Sequence, residues 1–160
     1  MRAVYRVLAF IIAVEVALQA SFIVWGDAGL GLWIEEEGGV VDKATFETAF
    51  ESGEAPFPEF LGFMLHGMNG MMVIPALALI TFIVSFFAKV PGGIRNAAAV
   101  LALVVLQVML GLFGHENAYI GMLHGVNALI LFSAAVYTGR EAAKASAAEV
   151  GFQQEPAATV

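Results

Sequence analysis

The side chains best suited to chemistry in this chain come in duplicate. MLHGMN at 64–69 and MLHGVN at 122–127 are one hexapeptide with a single conservative change, so His66, Gly67 and Asn69 recur as His124, Gly125 and Asn127. Imidazole is a metal ligand, a proton carrier or a hydrogen-bond partner, and in an apolar setting it is costly unless one of these roles satisfies it. The sequence has no cysteine, which removes thiolate catalysis, disulfides and cysteine-held iron–sulfur or zinc sites. A facing pair of imidazoles is two ligands short of a tetrahedral zinc site. An iron porphyrin supplies four nitrogens of its own and takes two axial ligands. The chemistry expected is therefore bis-histidine ligation of one haem b per chain, with His66 and His124 on the iron.

The neighbours of each histidine suit a flat cofactor. Gly67 and Gly125 follow the histidines directly, Gly62 and Gly70 lie four residues either side of His66, and Ala128 lies four beyond His124. Glycine inside a helix is disfavoured by about 1 kcal/mol relative to alanine, so its repetition points to close approach of a flat group or of another helix. Asn69 and Asn127, three residues on, share the histidine face. They are expected to orient an imidazole, reach the cofactor's polar edge, or join Gln19 and Gln107 across the helix interface. Met64, Met68 and Met122 are candidate linings of a porphyrin pocket. His115, in GHENAY, reads as a surface histidine; Glu15 is an acid inside a span whose role, relay or neutral hydrogen-bonded carboxyl, stays open.

These residues need a scaffold, and composition says which. Of 160 residues 60% are apolar and only 13% charged, which is the signature of a membrane protein. Four apolar stretches, roughly 7–25, 60–88, 97–114 and 118–138, approach or exceed the ~18–20 residues that cross a bilayer. No small-x-small cleavage site follows the first, so it is expected to stay as a span. VALQ at 16–19 and VVLQ at 104–107 precede Gly26 and Gly114 by the same number of residues, so spans one and three correspond as spans two and four do. The expected fold is all-α: an integral membrane four-helix bundle of two parallel-related helical hairpins, with the two histidines at matched depth about 10 Å below the outer polar boundary. Pro75 is expected to kink span two.

Six of the seven basic residues (Arg2, Arg6, Lys89, Arg95, Arg140 and Lys144) fall on one side of these spans, which places both termini in the cytoplasm. Nine of the fourteen acids lie in an outer loop at 26–59, and a net charge of −7 argues against nucleic acid as a partner. Within that loop VVDKATFETAFESG is expected to form a short amphipathic helix capped by Asp42, with Phe46, Ala49 and Phe50 on one face. It is read as a lid over the bundle or as a solvated connector. The organisation is thus a four-span unit over 1–144 and a flexible cytoplasmic tail over 145–160.

The histidines on spans two and four near one leaflet resemble one half of haem A synthase. LHGVNAL at 123–129 is also similar to the terminal LHxxNAL segment of small uncharacterised four-helix membrane proteins of bacteria. Haem A synthase is usually duplicated to eight spans and has a glutamate close before its first histidine, whereas here Glu59 is seven residues away. The resemblance implies haem ligation by His66 and His124, and its oxidation chemistry only as an alternative. The expected function is electron transfer in the cell membrane, as partner or subunit of a membrane oxidoreductase or as a homo-oligomer. The alternatives are a cofactor-free accessory subunit and a haem-modifying enzyme.

Overall fold

The computed structural model describes residues 1–154, with side chains to 148, and among them every regular element is helical. Helix α1 is Arg2–Glu37, α2 Lys43–Ser52, α3 Phe60–Met68, α4 Ile74–Ala88, α5 Gly93–Gly114 and α6 Ala118–Gln154; a π-helical turn, Asn69–Val73, joins α3 to α4. Four stretches, Arg2–Glu37, Phe60–Ala88, Gly93–Gly114 and Ala118–Ala148, have the length and apolarity to cross a membrane. At most 28% of the residues in any of their apolar windows are buried within the chain, so most of that apolar surface faces outward, as lipid requires.

The chain divides into two compact units, Met1–Val16 with Ile74–Val160, and Ala17–Val73. The first unit is a four-helix bundle. Ile12, Ala13 and Val16 of α1, Ile74 and Ala78 of α4, Val100 and Val104 of α5, and Leu131 and Ala135 of α6 form its central core. A second layer of Tyr5, Ala88, Val90, Ala97 and Ala142 closes one end. There the Tyr5 hydroxyl donates to the Gly93 backbone oxygen at 2.7 Å, and Arg2 Nη2 donates to that of Lys89 at 3.2 Å. Thr81, Ser85 and Thr138 are buried in this apolar surrounding because each hydroxyl donates back to a carbonyl three or four residues earlier.

The second unit is an aromatic cluster on the pairing of α1 with α3. Ala49, Phe57 and Phe60 are its buried centre, and Leu30, Trp33, Phe46, Phe63 and Met64 pack around them. Helix α2 has the expected cap: Asp42 Oδ1 accepts from the Thr45 backbone N–H at 2.7 Å and from its hydroxyl at 2.9 Å. Those two bonds, the backbone one foremost, hold the Asp42 carboxyl below its ordinary pKa. Gly53 ends the helix in the left-handed region at φ 74°, as such a C-terminus requires. Phe46 and Phe50 meet Phe60 at ring-centroid distances of 5.8 and 5.0 Å. The amphipathic face read from the sequence therefore anchors α2 to α3.

One boundary differs from the sequence reading. Helix α1 does not stop at Trp25: of the segment expected as loop, 26–37 is helical and only 38–42 and 53–59 lie outside α1 and α2. Gly26 and Gly29 of this extension, and Gly62 of α3 opposite, are contact points. A Cβ on Gly26 would lie 2.8 Å from Phe63 Cε1, one on Gly29 would overlap Glu59, and one on Gly62 would lie 2.5 Å from the Phe22 backbone oxygen. At the C-terminus α6 runs on through Ala145 to Gln154, and the remainder of the expected tail, 155–160, lies outside the described residues.

Candidate functional site

Each unit holds one of the two histidines in the same local arrangement. In the second unit, His66 Nδ1 and the Gln19 backbone oxygen are 3.1 Å apart, and Gln19 Nε2 donates to the His66 backbone oxygen, also at 3.1 Å. In the first, His124 Nδ1 meets the Gln107 backbone oxygen at 3.1 Å, and Gln107 Nε2 donates to the His124 backbone oxygen at 3.1 Å. This reciprocal pair ties the odd-numbered span of each repeat to its even-numbered partner. Both histidines are half-buried.

The bonds determine the tautomer. A backbone carbonyl only accepts, so Nδ1 of each ring carries the proton and, in the neutral imidazole, Nε2 carries the lone pair. An imidazole that donates through Nδ1 to a carbonyl has its ring plane fixed and its Nε2 made more basic, which is the common preparation of a metal-ligating histidine. Among the described residues, no three His, Asp or Glu side chains converge to hold a bare metal ion.

Glycines shape the space around the pairs. A Cβ on Gly70 would lie 2.7 Å from Gln19 Nε2, so Gly70 makes room for the glutamine amide. Gly111, which sequence reasoning passed over, has the corresponding part in the other unit: a Cβ there would lie 3.1 Å from His124 Cε1 and 3.3 Å from its Nδ1. The signal was present, since Gly111 lies one turn after Gln107 on the same face of α5. Gly67 and Gly125 are different: a Cβ on either meets nothing within 4 Å. No packing inside the chain demands glycine there, and the surface beside each histidine is left low.

The two asparagines part company. Asn127 is buried and donates through Nδ2 to the Leu103 backbone oxygen at 3.0 Å and to Gln107 Oε1 at 2.6 Å, which completes a glutamine–histidine–asparagine network. Asn69 opens the π-turn, and Gln19 Oε1, the atom matching Gln107 Oε1, is buried without a hydrogen-bond partner. Of the remaining candidates, Met64 is half-buried against the aromatic cluster, Met122 and Met68 are exposed, His115 is exposed between α5 and α6, and Glu15 is half-buried on α1.

Residues 50–114 match a family of unknown function, DUF6220. The matched stretch takes in α3, α4 and α5 with His66, and ends before His124 and the LHGVNAL segment. No curated protein and no solved structure matches the chain.

Proposed function

We propose that the protein is a multi-pass membrane cytochrome-like protein that binds one haem b through Nε2 of His66 and Nε2 of His124, and that it carries single electrons. The observation behind this reading is the reciprocal Gln19–His66 and Gln107–His124 pair, which gives two histidines the same tautomer with Nε2 as the ligating atom. The residues fit the group: two neutral imidazoles complete an iron porphyrin's coordination, and the open surface at Gly67 and Gly125 leaves space for a flat ring beside each. Haem b supplies a one-electron ferric/ferrous couple. The chain's part is to hold both rings by their Nδ1 protons, which strengthens them as donors to ferric iron and lowers the potential, and to keep water away with an apolar surround.

The hairpins are proposed as parallel repeats with both termini in the cytoplasm. That follows from the matched VALQ/VVLQ and MLHG segments and from the basic residues at one end of the spans. The haem then lies towards the outer leaflet. Purified protein made with ample haem tests the reading: a Soret band and a low-spin α band support it, and their absence overturns it.

One other reading draws on the same bonds. The Gln–His pairs also join helices, so a cofactor-free accessory subunit of a membrane complex would use them as interhelical links. It differs in predicting that His66→Gln and His124→Gln change assembly and leave the visible spectrum flat.

A further inference from the structure

The cations of the first unit gather at one end of it. Tyr5, Ala88, Val90, Ala97 and Ala142 form the layer that closes that end, and Arg6, Lys89, Arg95 and Arg140 each stand within two residues of a member of it. Helices α1, α5 and α6 and the turn after α4 therefore bring one cation each to the same level. Lys89, Arg95 and Arg140 are exposed and Arg6 is half-buried. Glu141, the described acid at this level, is taken by Lys144, whose Nζ donates to its Oε1 at 2.6 Å. Among the described residues, Arg6, Lys89, Arg95 and Arg140 have no ion pair.

Two of these cations flank one fixed turn. Helix α4 ends at Ala88 and α5 starts at Gly93; between them the Gly93 N–H donates to the Val90 oxygen at 2.9 Å, the Tyr5 hydroxyl donates to the Gly93 oxygen at 2.7 Å, and Val90 is buried. Lys89 opens the turn at φ 52°, in the left-handed region that favours glycine or asparagine, so the backbone alone does not call for a lysine. Arg95 folds back over the other end, where a Cβ on Gly92 would lie 3.6 Å from its Nη2. Pro91 and Gly92, between the two cations, are exposed.

Next to this rim the surface turns apolar. Ile83, Phe86 and Phe87 of α4, Val7 of α1 and Tyr137 of α6 are exposed, Phe87 at 65%. The two phenylalanines stand at the end of a stretch with the length and apolarity to cross a membrane, directly before Lys89. Unpaired cations bordering an exposed apolar belt match a molecule with an anionic head and a hydrocarbon tail.

We propose that this rim, centred on the Lys89–Arg95 turn, is a binding surface for anionic phospholipid, with the phosphate on Lys89 and Arg95 and an acyl chain along Phe86 and Phe87. A guanidinium meets phosphate oxygens as a fork and an ammonium as a point charge, so the two are complementary at one headgroup. An acidic peptide would use the charge but not the apolar belt beside it. The proposal is independent of the haem reading.

The full-length protein in neutral detergent is given equal amounts of phosphatidylglycerol and phosphatidylcholine, and the lipid it retains is read by native mass spectrometry. The expected result is an excess of phosphatidylglycerol of about fivefold or more, the factor one cation near anionic lipid is worth, falling to near parity in Lys89→Gln with Arg95→Gln. Lys89→Arg, which keeps the charge, and Lys43→Gln, which removes one on α2, are expected to keep the excess. Equal retention of the two lipids by wild type overturns the proposal, as does an excess that the double variant keeps or that Lys43→Gln loses to the same extent. Displacement of the bound lipid by an equal concentration of inorganic phosphate overturns it too, since the acyl chain then contributes nothing.

Discussion

His124 Nδ1 lies 3.1 Å from the backbone oxygen of Gln107, whose side-chain amide returns a 3.1 Å bond to the backbone oxygen of His124. The same two bonds recur between Gln19 and His66. A half-buried histidine in an apolar span has no reason to be fixed so completely unless its remaining nitrogen, or the helix pair it joins, is the point. The two possibilities separate experimentally.

Removing the glutamines should cost unequal amounts. Gln107→Leu deletes the bond to His124 and the partner of Asn127, about 1 kcal/mol for each interhelical bond. Gln19→Leu deletes one bond and also removes a buried, unpaired acceptor. Reversible unfolding in mixed micelles should therefore show Gln107→Leu as the more destabilising change, by about 1–2 kcal/mol. Equal losses would mean that Asn127 contributes nothing through Gln107.

The glycines sort into packing and open positions. Gly62→Ala sets a methyl 2.5 Å from the Phe22 backbone oxygen, which only backbone displacement relieves, so a loss of roughly 2 kcal/mol is expected. Gly67→Ala and Gly125→Ala meet nothing within 4 Å and should hold or raise stability by up to about 1 kcal/mol through helix propensity. If a haem face lies over them, haem content falls while the melting temperature of the haem-free protein does not. Retention of full haem in both variants would move the cofactor away from that surface.

Acid should release α2. The Asp42 carboxyl titrates below its ordinary value because it accepts from Thr45, so its contribution is complete above the unfolded-state pKa and disappears as pH falls through the lower folded-state one. Trp33 stacks on Phe57 at 5.4 Å in the cluster that also holds Phe46 of α2, so its fluorescence reports the release in a Trp25→Phe background. Asp42→Ala should give at neutral pH the signal that wild type gives only in acid. A fluorescence signal unaffected by the substitution would show that the phenylalanines alone dock the helix.

Amide exchange should mark the π-turn. Amides of residues 69–73 are expected to exchange faster than those of 127–131, which occupy the same place in the unbroken α6, and Pro75→Ala should reduce the difference. Equal protection in the two stretches would show that the π-turn is held as firmly as the unbroken helix.

Much of this was legible as repetition. The duplicated hexapeptide and the matched VALQ and VVLQ segments pointed to corresponding pairs of helices, and the Asp42 cap and the Phe46–Phe50 face of α2 followed from local rules. Less legible was the end of α1, because the apolar stretch ends at Trp25 and the acidic segment beyond it read as loop, while the close packing of Gly26 on Phe63 and of Gly29 on Glu59 is not visible in sequence. The inequality of the asparagines was hidden too. Residue for residue they match, and only Pro75, six positions beyond Asn69, distinguishes the context of one from the other. Hydrogen bonding of each ring to a glutamine carbonyl is invisible in sequence, since a backbone oxygen is present at every position.

The measurement closest to the central claim is the reduced-minus-oxidised visible spectrum of the purified protein beside His66→Ala and His124→Ala. A sharp low-spin haem b α band in wild type, lost in both variants with their helical content intact, is the predicted result. A flat difference spectrum from haem-replete wild type, or a band that survives both substitutions, would contradict it.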